Sequence, residues 1–306
     1  MQIIFKYIRS FTQREFNVGY LLCVLTLVGV MIYLNYSHGL EKRWVGNAKG
    51  WSAKFLGSFF IYFIPFATAF LLQPLFYKNT HYFQQSWFWA ILIIAPLLFA
   101  FRVHFTWHQP FFKPLLHAVD AKWGMHAINW VVRALVVILP IALIWFIKDK
   151  NTQPFYGVKS LETAMPYVWM VAIMIPLLWL ASQQKDFGQV YPKARMLAAA
   201  GPQPWYKYLL FELSYGFDFI SIELFFRGFL VLSLLQICGT QCILPIACFY
   251  CSIHLGKPMG EAISSFWGGL LLGIVAHYTG SIWGGLMVHL GIAWLMEFFG
   301  WWAHHP

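Results

Sequence analysis

Apolar residues in this chain run in long stretches separated by short polar connections, at about residues 18–36, 55–76, 87–103, 127–147, 166–182, 207–237, 242–255, 260–279 and 281–300. A helix that crosses the bilayer's hydrocarbon core needs roughly 20 mostly apolar residues. The pattern therefore predicts an all-α fold, a polytopic integral membrane helix bundle with about 8–9 transmembrane helices. The stretch at 207–237 is long enough for a tilted helix with an extension, and 242–255 is short enough to be an incomplete or half-buried span. Connections such as Glu41-Lys42-Arg43, Lys148-Asp149-Lys150 and Lys185 to Lys207 carry the polar residues and the Gly and Pro breakers expected between helices. None has room for an extramembrane domain. The first apolar run follows Lys6, Arg9 and Arg14, is longer than a signal-peptide core and is followed by no Ala-x-Ala site, so it reads as a retained anchor.

Composition agrees with the pattern. The 306 residues are 60% hydrophobic and only 10% charged, whereas a soluble domain carries about a quarter of its residues as charges. A soluble globule, a disordered chain and a disulfide-stapled secreted domain are all excluded. The five cysteines lie in or beside apolar runs and read as buried thiols. The formal charge of +10 divides unevenly, because 19 of the 21 basic residues but only six of the 11 acids fall within residues 1–207. A basic excess scattered between apolar runs belongs to loops that face anionic lipid and the cytoplasm, and it implies no nucleic-acid partner. The last third is acidic although it is almost continuously apolar.

Ionisable groups inside spanning segments are expensive and mark function by default. They concentrate in two places. Residues 102–126 hold Arg102, His104, His108, His117, Asp120, Lys122 and His126. If this part is helical, His104 and His108 share a face, and His117 or Asp120 could complete a zinc-like set. Pro110, Pro114, Trp107 and Phe111 in the same stretch favour an interfacial segment anchored by aromatic and histidine side chains.

The second place is the last third, beginning with Asp218-Phe-Ile-Ser-Ile-Glu223-Leu-Phe-Phe-Arg227-Gly228. At about 100° per residue, Glu223 and Arg227 stack on one helix face and Glu212 falls within roughly 20° of Glu223. His254 ends a short apolar segment and His289 lies within another. A Glu on one helix and a His on each of two others can converge on one water. Three chemistries fit such a trio: a metal site, a proton or ion path, and a hydrolytic centre in which carboxylate and imidazole deprotonate water. A buried Glu223–Arg227 pair beside two hydrogen-bonded core histidines is the purely structural reading.

These residues carry a family resemblance. Glu223-Leu-Phe-Phe-Arg227-Gly228 resembles the second half of the Glu-Glu-x-x-x-Arg-Gly motif of the CPBP family, the membrane-embedded CAAX-type prenyl proteases and bacteriocin-processing or immunity (Abi) proteins. Tyr250-x-x-x-His254 resembles that family's Phe-x-x-x-His motif. Thr279-Gly280-Ser281-Ile282-Trp283 followed by His289 resembles its last signature, a turn leading into a helix with His-x-x-x-Asn. The three stand in the family's order over about residues 207–300.

The resemblance divides the chain into residues 1–206, which carry amino-terminal transmembrane helices without a motif, and a peptidase-like domain at 207–300. It implies a glutamate-dependent intramembrane endopeptidase without a metal or other cofactor. By analogy Glu223 and His254 would activate water, His289 would support the oxyanion, and Arg227 and Tyr250 would assist. The implied partners are the lipid bilayer and a membrane-bound peptide or prenylated substrate, or a partner membrane protein. The implied location is the cytoplasmic (inner) membrane of a bacterium. Two positions depart from the pattern: the first glutamate of the pair is Ile222, and the final asparagine is Ala293. An inactive member acting as a binding or assembly subunit is the alternative these departures support.

Overall fold

The computed structural model describes residues 2–14, 16–198 and 201–304. Its helices are α1 (Gln2–Arg14), α2 (Val18–His38), α3 (Trp51–Leu71), α4 (Ser86–His104), α5 (Gln109–Phe112), α6 (Ala121–Ile144) and α7 (Met165–Ser182). They continue with α8 (Lys185–Val190), α9 (Arg195–Ala198), α10 (Trp205–Glu223), α11 (Ser233–Cys238), α12 (Ile243–Ser252), α13 (Met259–Thr279) and α14 (Trp283–His304). Among the described residues eight helical runs are long and apolar enough to cross a membrane, and no strand occurs. The protein is a multi-pass, all-helical membrane bundle.

Bilayer length decides most of the boundaries, and local chemistry sets the ends. The Asn17 side chain caps α2 by accepting from the Tyr20 amide at 2.9 Å, and Gly39 closes the helix in the left-handed region at φ 67°. The runs expected at 207–237 and 242–255 form one continuous apolar stretch, Trp205–Ser252. Within it α12 has ten residues, all buried, and rises only about 15 Å, half of a ~30 Å hydrocarbon core. Helix α1 is too short to span. Its apolar stripe of Ile4, Tyr7 and Phe11 packs inward, with Tyr7 stacked on Tyr278 of α13 at 5.0 Å, while Lys6 and Arg9 stay exposed.

Lipid tails are as apolar as the helices, so packing and hydrogen bonding hold the bundle together. Phe249 of α12 sits at its centre, with ring centroids 5.1–6.0 Å from Tyr62 and Phe66 of α3, Phe99 of α4, and Phe225 and Phe226 beyond α10. Polar contacts stitch the ends. At one end Asn35 and Tyr36 donate to the carbonyls of Leu255 and Lys257, and Glu297 accepts from the backbone amides of Lys193 and Ala194. At the other, Gln73 donates to the Gln241 carbonyl and Ser281 to the Lys159 carbonyl.

Candidate functional site

Glu223 is the last residue of α10, where the helix widens into a π-helical stretch, Leu224–Leu232. Such i→i+5 segments recur at functional sites because they re-aim side chains. Arg227 follows one turn on, with Nη1 3.3 Å from Glu223 Oε1 and its guanidinium 4.3 Å from the centre of the Tyr250 ring. Gly228 lets this stretch approach the Phe155–Gly157 turn, since a Cβ there would stand 2.5 Å from the Tyr156 carbonyl oxygen. The Arg-Gly pair thus supplies a charge and the backbone clearance beside it.

Helix α14 brings His289 to the carboxylate. His289 Nδ1 lies 3.0 Å from Glu223 Oε1, and Nε2 lies 3.2 Å from the Tyr250 hydroxyl. An ionised carboxylate only accepts, so the network assigns the imidazole proton to Nδ1 and leaves Nε2 to accept from the Tyr250 O–H. Phe219 closes one side of the ring at 4.5 Å. Glu223 Oε2 makes no hydrogen bond among the described residues and rests against Gly285, where an added Cβ would be 2.4 Å away.

His254, in the connection after α12, joins the group through Tyr250. Its Nδ1 donates to the Tyr250 carbonyl at 2.8 Å, and the two rings are 4.7 Å apart. Nε2 is thereby left as an acceptor. Burial pushes the His254 imidazole down to about 4; Lys257 acts in the same direction and Glu261 opposes both. It is neutral at physiological pH. Glu223 is 0% exposed and Arg227 2%, whereas His254 and His289 are partly exposed. The imidazoles form the accessible edge of the cluster, and the ion pair lies behind them.

Of the five residues expected in the site, Glu223, Arg227, His289 and Tyr250 meet directly, and His254 stands beside Tyr250. Glu212 does not join the stripe. It lies eleven residues earlier on α10, about 16 Å along the axis, where its charged neighbour is Glu297. The two family departures are apolar in surroundings as well as in kind. Ile222 packs against two hydrophobic clusters, and Ala293 is buried with Phe219 and Tyr215. Sequence reasoning missed Gly285 and the Tyr191–Lys257–Glu261 group beyond His254, in which Lys257 Nζ is 3.2 Å from Glu261 Oε1. The i,i+4 spacing of Lys257 and Glu261 was the signal for the latter.

The zinc-like set of residues 102–126 does not assemble. Helix α4 ends at His104, where Phe105 is extended, so His108 leaves the helical face. His104 Nε2 meets Ser58 at 2.7 Å, His108 Nε2 meets Asn129 at 2.7 Å, His117 is exposed and Asp120 pairs with Lys207 at 2.6 Å. Among the described residues no three His, Cys, Asp or Glu side chains are grouped to hold a metal. Exposed Trp107, Phe111 and Leu115 give this stretch its interfacial character.

The cluster is a carboxylate-held imidazole with a tyrosine hydroxyl on its second nitrogen, enclosed by membrane helices. Residues 204–295 match the family model described as Rce1-like, type II CAAX prenyl endopeptidase. The match covers less than a third of the chain and supports its resemblance to the CPBP family of membrane-embedded CAAX-type proteases. No curated protein and no solved structure matches the chain.

Proposed function

We propose that the protein is an intramembrane endopeptidase that hydrolyses a peptide bond of a membrane-associated, CAAX-like substrate at the His289–Tyr250–His254 edge. The observation that carries this reading is the chain Glu223 Oε1, His289, Tyr250 hydroxyl, with links of 3.0 and 3.2 Å. Glu223 fixes His289 with Nδ1 protonated and stabilises the imidazolium formed when Nε2 takes a proton, the part a buried carboxylate plays in a triad. Arg227 Nη1, 3.3 Å from Glu223 Oε1, sets an opposing charge beside the carboxylate at membrane depth. His289 Nε2 exchanges the Tyr250 hydroxyl for a water molecule, and His254 Nε2 accepts that water's other hydrogen. The water oxygen bonds to the scissile carbonyl carbon while His289 takes the proton. The Tyr250 O–H, now released, donates to the oxyanion. His289 then returns the proton to the leaving nitrogen as the C–N bond breaks. Glu223 orients the base in this scheme, consistent with the loss of the first family glutamate at Ile222.

In reconstituted vesicles the protein is expected to cleave a prenylated peptide. Glu223→Ala, His254→Ala and His289→Ala should each stop cleavage while the protein still accumulates in the membrane. Unchanged cleavage by the Glu223 variant would remove the proposal. The basic connections favour the cytoplasmic membrane of a bacterium as its location, with residues 1–206 scaffolding the peptidase-like helices.

A second reading, a non-catalytic member that binds a partner helix or a lipid-linked peptide, draws on the apolar packing of Ile222 and Ala293 and the full burial of Glu223. Stable capture of a prenylated peptide without its hydrolysis would favour it.

A further inference from the structure

Apart from the Glu223 cluster, the bundle holds a cleft of about 460 Å³ between α6 and the segment linking α8 to α9, lined by Lys122, His126, Trp130, Arg133, Lys193 and Arg195 together with two apolar side chains. That volume lies in the range of about 300–1,000 Å³ typical of ligand sites. Lys122, His126, Trp130 and Arg133 fall within about 80° of one another around α6. They form a stripe that begins in the first turn and descends to Arg133, twelve residues into the helix. No carboxylate lines the cleft.

The neighbouring acids are committed elsewhere. Asp218 is paired with Arg102 at 2.5 Å, Glu297 accepts from the backbone amides of Lys193 and Ala194, and Glu261 is paired with Lys257. Arg133 interacts electrostatically with both Arg102 and Asp218, so two guanidiniums share one carboxylate at membrane depth. The Nε atoms of Arg102 and Arg133 are buried without a hydrogen-bond partner. Burial, then repulsion from Lys257, pushes the Lys193 ammonium down to about 8 in spite of Glu297 and Glu261. Cations crowded at this depth are stabilised by an anion. The stripe opens at the end of the bundle that also carries Lys42, Arg43, Lys185 and Lys257.

We propose that this cleft binds the phosphate of an anionic lipid headgroup, with Lys122 at its mouth and Arg133 at its floor. The site is separate from the Glu223 cluster, so its test is independent of peptidase activity.

The test uses the full chain, purified in zwitterionic micelles and titrated with phosphatidylglycerol, phosphatidylcholine or inorganic phosphate, with bound lipid counted by native mass spectrometry and Tm recorded in parallel. Phosphatidylglycerol is expected to be retained and to raise Tm, and phosphatidylcholine is not. Lys122→Gln and Arg133→Gln should each weaken retention about five-fold. Lys122→Gln, at the partly exposed start of α6, keeps the test open should Arg133→Gln fail to fold. Equal retention of the two lipids, or unchanged retention in a folded variant, would overturn the proposal. An equal Tm rise with inorganic phosphate at the same concentration would overturn the assignment to a lipid.

Discussion

The buried Glu223–Arg227 pair makes a stability prediction that can be separated from activity. At the 3.3 Å separation of Nη1 and Oε1, Coulomb attraction at an effective dielectric constant of about 20 is ~5 kcal/mol. Desolvation of both groups opposes much of it. Removing one partner is different, because the survivor remains buried and uncompensated, which costs about 3–5 kcal/mol. Glu223→Gln keeps the side-chain volume and an oxygen that can still accept from His289 Nδ1, so its effect isolates the lost charge. It is expected to destabilise the protein by ~3–5 kcal/mol. Adding Arg227→Met, which removes the stranded cation, should restore about 2 kcal/mol or more of that loss. The assay is a double-mutant cycle from reversible unfolding in mixed micelles. A Glu223→Gln cost below about 1 kcal/mol, or additive losses in the double variant, would refute the argument that the two charges depend on each other.

The remaining predictions address geometry and pH. Gly285→Ala places a Cβ 2.4 Å from Glu223 Oε2, so it should push the carboxylate off His289 and cost about 1–3 kcal/mol through overpacking; peptide cleavage should fall with the protein still folded, and full activity would contradict the contact. His254, lowered from the ordinary 6.5 to about 4 by burial, binds its proton more tightly in the unfolded chain. Its contribution to stability is therefore complete above pH 6.5 and is lost as pH falls from there towards 4. Unfolding measured across that window should show a slope that His254→Gln flattens, and an identical slope in the variant would count against an imidazole that the fold holds neutral.

The spans were legible because a bilayer imposes one length on every crossing helix. The runs read at 18–36 and 166–182 appear as Val18–His38 and Met165–Ser182. Helix α1 escaped notice because an amphipathic helix of 13 residues leaves no apolar run to find. In the site, the Glu223–Arg227 pair could be read from its i,i+4 spacing, because one helix sets both positions. The same angular rule overreached at Glu212, where sharing a face says nothing of a displacement along the axis. It failed at His108 because the helix stops at His104. Contacts between helices, such as the Tyr250 hydroxyl on His289 or Glu223 against Gly285, depend on packing that no local spacing records.

The central claim is that Glu223 holds His289 as the base of a peptidase. The most direct measurement is cleavage of a prenylated peptide by the reconstituted protein, with Glu223→Gln compared at matched amounts of folded protein. The account predicts cleavage by the wild type and a loss of up to roughly 10⁴-fold in the variant, the scale reached when a triad carboxylate is replaced by its amide. Equal rates for the two proteins, or a wild type that cleaves no faster than protein-free vesicles, would contradict it.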